Sequence, residues 1–186
     1  MIKDLLDPDL GNVQRKLRLK LERSDLGKIL REAVEHLNQR FGQRFKLEAG
    51  VCLGYWHGPS LRRAMESLGR AILNYDNRDE VEVKLEASFG RAIVCLHNPK
   101  KVLAPDRLEF IFQSFRRMDD YFRPGSPLTG LPVARGVAEA HGGSVGVDSS
   151  REKGTTFILD LLQDSRPYQK APLTPGTIDP GEHPEH

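Results

Sequence analysis

The side chains best able to do chemistry on their own account are the two thiols, the imidazoles and several short basic runs. Cys52 and Cys95 stand in apolar, strand-like stretches without metal-ligand spacing, so they read as buried free thiols and not as a disulfide or zinc site. That usage fits a reducing cytoplasm, the expected location. His183 and His186 form a chance pair near the C-terminus. Trp56 and His57, within Gly-Tyr-Trp-His-Gly, read as loop packing. Arg15, Lys16, Arg18, Lys20 and Arg23 read as a solvated basic face. Lys100, Lys101, Arg107, Arg116, Arg117 and Arg123 either attract an acidic partner or form a solvated surface. No catalytic residue and no metal site is assigned.

Hydrophobic periodicity supplies the elements that position these groups. Residues 12–23 alternate and read as extended. Leu26, Ile29, Leu30, Ala33, Val34, Leu37 and Phe41 then recur at helical spacing, with Ser24 or Asp25 as N-cap and Gly42 as the stop. Residues 44–53 read as one strand and residues 54–60 as a loop. Pro59 or Ser60 opens a second helix, with Leu61, Ala64, Met65, Leu68, Ala71, Ile72 and Tyr75 along its apolar stripe. Val-Glu-Val-Lys-Leu-Glu-Ala and Arg-Ala-Ile-Val-Cys-Leu-His, separated by Ser88, Phe89 and Gly90, predict an antiparallel hairpin. A short helix starts at Asp106. A long polar loop follows, broken by Pro124, Gly125 and Pro127. Pro132 then begins a helix that ends at His141 with Gly142 as a left-handed C-cap, and two strands close the unit.

The chain's 186 residues, 38% hydrophobic and 29% charged, fit one globular domain. A formal net charge of +2 is too mild to favour nucleic acid. No apolar run approaches the roughly 20 residues of a membrane-spanning helix, so no membrane insertion is expected. Three segments are expected: residues 1–23, residues 24–163 as the folded domain, and residues 164–186 as a disordered tail. The tail holds five of the chain's twelve prolines, a composition that buries little apolar surface. The expected fold is an α/β (α+β) two-layer sandwich, a mixed and largely antiparallel sheet with helices on one face.

The segments Leu-Arg-Arg-Ala-Met-Glu-Ser-Leu-Gly-Arg-Ala-Ile-Leu-Asn-Tyr, Ala-Ile-Val-Cys-Leu-His-Asn, Ile-Phe-Gln-Ser-Phe-Arg-Arg and Glu-Ala-His-Gly-Gly follow one another between Leu61 and Gly143. In that order the chain resembles the catalytic ATP-binding domain of sensor histidine kinases, the GHKL or Bergerat ATPase fold. Met1 to Asp7 is similar to the end of a sensor kinase dimerisation helix. The helix that would carry a phosphorylated histidine is not recognisable in the sequence.

The resemblance implies a nucleotide site on residues that this chain has changed. Family members carry asparagines at i and i+4 on the helix matching residues 60–75, where they hold magnesium and phosphates. Ser67 and Ala71 stand at those positions, and Asn74 lies one turn further on. An Asp-x-Gly-x-Gly box, whose carboxylate accepts a hydrogen bond from adenine, is replaced by His97, Asn98, Pro99, Lys100 and Lys101. A second glycine box, which lends backbone N–H groups to phosphates at a helix N-terminus, retains Gly130 but has Pro132, which carries no N–H. Phe112 and Phe115 match the family's F-box, followed by Arg116 and Arg117.

The expectation is therefore a degenerate kinase-like domain, a pseudokinase adaptor or regulator without ATP hydrolysis or phosphotransfer and with no cofactor. Its partner would be a sensor kinase, a response regulator or a scaffold, met through Phe112, Phe115, Arg116 and Arg117. The chain itself is expected to be a monomer or weak dimer. The alternative is a divergent kinase domain acting in trans with ATP and magnesium, using Ser67 and Asn74.

Overall fold

The computed structural model describes residues 19–73, 79–114 and 131–167, with side chains described in all of these but 110–114. The expected sandwich is present. β1 (Glu22–Asp25) leads into α1 (Leu26–Phe41), followed by β2 (Phe45–Glu48), β3 (Leu53–Trp56) and α2 (Gly58–Ile72). Then come β4 (Val81–Ser88), β5 (Arg91–Asn98), α3 (Pro105–Ser114), α4 (Leu131–Ala140), β6 (Ser144–Ser150) and β7 (Gly154–Leu162). Five strands form the main sheet in the order β2-β4-β5-β7-β6; β1 and β3 make a separate antiparallel pair. Only the β2–β4 neighbours run parallel, which makes the sheet mixed and largely antiparallel.

Helices α1 and α2 lie where their stripes direct them. Leu26, Ile29, Leu30, Ala33, Val34 and Leu37 of α1 are buried, as are Leu61, Ala64, Met65, Leu68, Ala71 and Ile72 of α2. α2 packs between α1 and α4, and the three cover one face of the sheet. On β5 the residues facing them are Ala92, Val94, Leu96 and Asn98; on β7 they are Thr155, Phe157, Leu159 and Leu161. Fully burying a side chain of this size contributes about 1.5 to 3 kcal/mol, so this layer supplies most of the driving force.

Four local expectations are corrected. The stretch read as one strand is two, because the chain leaves the main sheet after Glu48 and rejoins the small one at Leu53. Gly50 sits in the gap with its carbonyl oxygen where a side chain on Gly27 would stand, so α1 crosses the gap closely. The stretch read as the loop 54–60 is the end of β3 and the start of α2; Trp56 is core, and His57 is the N-cap whose Nδ1 accepts from Ser60 N. Cys95 is only half-buried, since it points to the face of the sheet away from the helices, whereas Cys52 is buried; both are free. Finally, the chain stays packed past residue 164: Asp164 bridges to Tyr55, Ser165 is buried, and the Arg166 guanidinium stacks 3.5 Å from the Tyr55 ring centroid.

Asp25 is the N-cap of α1, with its Oδ1 accepting from Gly27 N at 2.9 Å. Gly142 takes the expected left-handed conformation after α4. No helix among the described residues is long and apolar enough to cross a membrane. The basic stretch before Leu19 and the chain after Pro167 lie outside the described residues.

Candidate functional site

The candidate site lies where the C-terminal end of α2 meets the segment leaving β5. A helix ends with carbonyls that have no partner inside the helix, and the macrodipole gathers negative potential there. At the end of α2 and its C-cap, three successive carbonyls receive side chains from that segment. Lys101 Nζ donates to Ala71 O at 2.6 Å and to Leu73 O at 2.8 Å, and Asn98 Nδ2 donates to Ile72 O at 3.0 Å.

The segment is held equally firmly from its other side. Asn98 Oδ1 accepts from Lys100 N at 3.0 Å, closing a tight turn. Thr155 Oγ1 on β7 donates to Lys101 O at 2.8 Å and lies 2.7 Å from Ser149 Oγ on β6, which accepts from Leu103 N. The turn between β6 and β7 comes so close that a side chain on Gly154 would overlap Asn98 O and Pro99. Gly154 also has φ +81°, so only glycine suits both the space and the backbone.

The electrostatics follow from burial. Asp79 is 1% exposed; Asn98 Nδ2 lies 3.4 Å from its Oδ2 and Lys100 Nζ 4.0 Å from its Oδ1. Burial pushes the Lys101 ammonium below its usual range, the Arg107 charge pushes the same way, and Asp79 opposes both. Lys101 is thus a partly desolvated cation held by two backbone oxygens, its charged form favoured by the Asp79 charge.

The sequence-predicted residues are only partly brought together. Ala71 and Asn98 meet at the end of α2. Ser67, 4% exposed, and Ala71, 3% exposed, lie one turn apart on the same buried side of the helix. His97 does not join them, because the alternation along β5 sends its side chain to the opposite face, where Nδ1 lies 2.9 Å from Thr156 Oγ1. Asn98 is the residue turned towards α2. Pro132 is in the first turn of α4. Asn74, Gly130, Phe115, Arg116, Arg117 and Arg123 lie outside the described residues; Phe112 is within α3, its side chain undescribed. Among the described residues no three His, Cys, Asp or Glu side chains converge on a point that could hold a metal ion.

Sequence reasoning overlooked Asp79 and Thr155 as parts of this site, and His57 and His141 behind it; it set Lys101 in the box but not on the carbonyls at the end of α2. The one signal for Lys101 was a long side chain where a glycine was expected. His141 is fully buried; its Nδ1 donates to Val137 O at 2.8 Å and its Nε2 accepts from His57 N at 3.1 Å.

This sheet and its helix layer form the α/β fold of histidine kinase catalytic domains. Residues 57–165 match the family of histidine kinase-, DNA gyrase B-, and HSP90-like ATPases, and the chain belongs to that family. It is 32% identical over 85 residues to sensor protein SrrB of Staphylococcus aureus (strain NCTC 8325 / PS 47); the match spans 45% of this chain and 15% of that protein. Among solved structures it is similar to the mycobacterial sensor histidine kinase MprB, with TM-score 0.62 and 22% identity over 78% of this chain and 99% of that one. It is also similar to a nucleotide-free catalytic domain of histidine kinase ThkA, with TM-score 0.65 and 16% identity over 82% of this chain and 100% of that one.

Proposed function

We propose that this domain acts by binding a protein partner in a histidine-kinase signalling system, as a regulator or adaptor, and neither hydrolyses ATP nor transfers phosphate. The observation that carries the reading is the Lys101 ammonium seated on Ala71 O and Leu73 O. It draws the β5–α3 segment onto the end of α2, across the junction that a nucleotide would have to enter.

The residues lining that junction do not fit magnesium nucleotide. Ala71 has a methyl group where a hard cation needs an oxygen, and Ser67 offers a single buried hydroxyl. Asn98 and not His97 faces α2, which supports reading Asn98, in place of His97, as the counterpart of the family's aspartate. The two box glycines then fall at Lys100 and Val102, one residue beyond Pro99 and Lys101. The Asn98 amide is already committed to Ile72 O and Lys100 N. Pro132 removes one N–H from the start of α4. Each lost contact costs about 1 to 3 kcal/mol, and a few together lower affinity by several orders of magnitude.

A fold kept without its chemistry is useful for recognition. Phe112, Phe115, Arg116 and Arg117 are the candidate partner surface, of the residue types enriched in interface hot spots. A sensor kinase, response regulator or scaffold is the class of partner. Titration calorimetry with magnesium-ATP tests the reading. No heat of binding is expected, and excess nucleotide should leave the melting temperature in place. A ligand at a hundred times its dissociation constant would add about 2.7 kcal/mol, which melting reveals readily. Saturable binding would favour the divergent trans-acting kinase instead.

A further inference from the structure

The end of α2 is a socket of negative potential that the chain fills with a cation of its own. Ala71 O and Leu73 O converge on one nitrogen, Lys101 Nζ, and the buried Asp79 carboxylate draws the same ammonium. The shape suits a primary ammonium. Such a group carries three donors around one small charged centre, whereas a guanidinium is flat and wide and a quaternary ammonium has no N–H.

We propose that this socket is a binding site for primary ammonium groups and that Lys101 is its resident ligand, whose occupancy fixes residues 98–103 against α2. The proposal rests on the closed junction described above, but not on whether nucleotide binds elsewhere in the domain. The socket oxygens are backbone carbonyls, Ala71 O in the last turn of α2 and Leu73 O at its C-cap, so neither depends on the lysine side chain for its presence. The far side of the segment remains anchored through Thr155 to Lys101 O and through Ser149 to Leu103 N, neither of which uses the lysine side chain. Removing that side chain therefore empties the socket and leaves these anchors in place.

The test uses the full chain carrying Lys101→Ala, melted with ethylammonium chloride or with tetramethylammonium chloride at matched concentration. Two charge-assisted hydrogen bonds are lost, so the variant should melt about 5 °C below the unmodified protein. Ethylammonium should recover part of that loss in a saturable way, and tetramethylammonium should not. The unmodified protein, its socket filled, should respond alike to both salts. A variant that melts with the unmodified protein, or that responds alike to both salts, would overturn the proposal.

If Lys101→Ala fails to fold, NMR of the unmodified chain with nitrogen-15-labelled lysine decides. One ammonium should exchange with water at least about tenfold more slowly than the exposed lysines, because it is half-buried and hydrogen-bonded, and its signal should be lost in Lys101→Arg. Uniformly fast exchange would overturn the proposal. Magnesium-ATP binding together with a protected Lys101 ammonium would sink the functional reading and leave the socket standing.

Discussion

The backbone N–H of His57 donates to Nε2 of His141 at 3.1 Å, joining the start of α2 to the residue just past α4 across 84 positions of sequence. Nδ1 of the same ring donates to Val137 O, so the ring must be neutral with its proton on Nδ1. Protonating Nε2 would turn the acceptor into a donor facing another donor. Burial, opposed by the bond to Val137 and aided by the neighbouring His57, holds His141 down at about 4 from an ordinary 6.5.

A folded-state value below the unfolded one means that the unfolded chain takes up the proton first. His141 therefore contributes its full stability above about pH 6.5, and the contribution is lost as pH falls from there towards about 4. Between pH 7 and pH 5 the loss should be about 2 kcal/mol, and burial lowers His57 in the same direction. Urea unfolding at both pH values measures it. In His141→Gln the slope across this window should flatten, although that variant is less stable throughout.

Asp25 does more than cap α1, since its Oδ1 accepts from both Gly27 N and Cys52 N at 2.9 Å. One oxygen thus ties the helix to the approach to β3. Asp25→Ala should cost about 2 kcal/mol, above a typical single cap, because the second N–H loses its partner too. Asp25→Asn keeps the shared oxygen and should cost less than half as much. A denaturant midpoint no lower in the alanine variant than in the asparagine one would rule this account out.

Phe89 occupies the hairpin tip between β4 and β5 with φ +50° and a side chain 102% exposed, followed by Gly90 at +74°. Two consecutive positive φ values suit Asn-Gly far better than Phe-Gly, because a bulky side chain gains nothing there from burial. Phe89→Asn should raise stability by about 1 kcal/mol, visible as a higher urea midpoint with an unchanged slope. A lowered midpoint would mean that the aromatic ring makes a stabilising contact in solution.

The large elements were legible because their stripes are one-sided: α1 and α2 bury the residues their spacing singles out, and β4 and β5 pair through Ser88 and Arg91 around a two-residue turn. The facing of β5 was not legible. Ala92, Val94 and Leu96 face the core, but Ile93 and Cys95 make the opposite face apolar as well, so the sequence carries no alternation to show that Asn98 and not His97 turns inward. The partners of Lys101 were hidden for another reason. One of two adjacent lysines in a polar loop reads as surface charge, and only the fold brings Ala71 O and Leu73 O to it. The same holds for His57 and His141, whose partnership crosses the whole domain.

Restoring one ligand atom should not restore nucleotide binding. Ala71→Asn places an amide where the side chain is 3% exposed and packed into the core, and an amide without partners there costs about 1 to 3 kcal/mol. The Ala71 carbonyl still holds the Lys101 ammonium after the substitution, so the β5–α3 segment stays drawn onto α2. The variant should melt lower than the unmodified chain, and magnesium-ATP should not raise it again. A rise that grows with nucleotide concentration would show that one oxygen donor was all the junction lacked, and that the Lys101 closure yields to ligand.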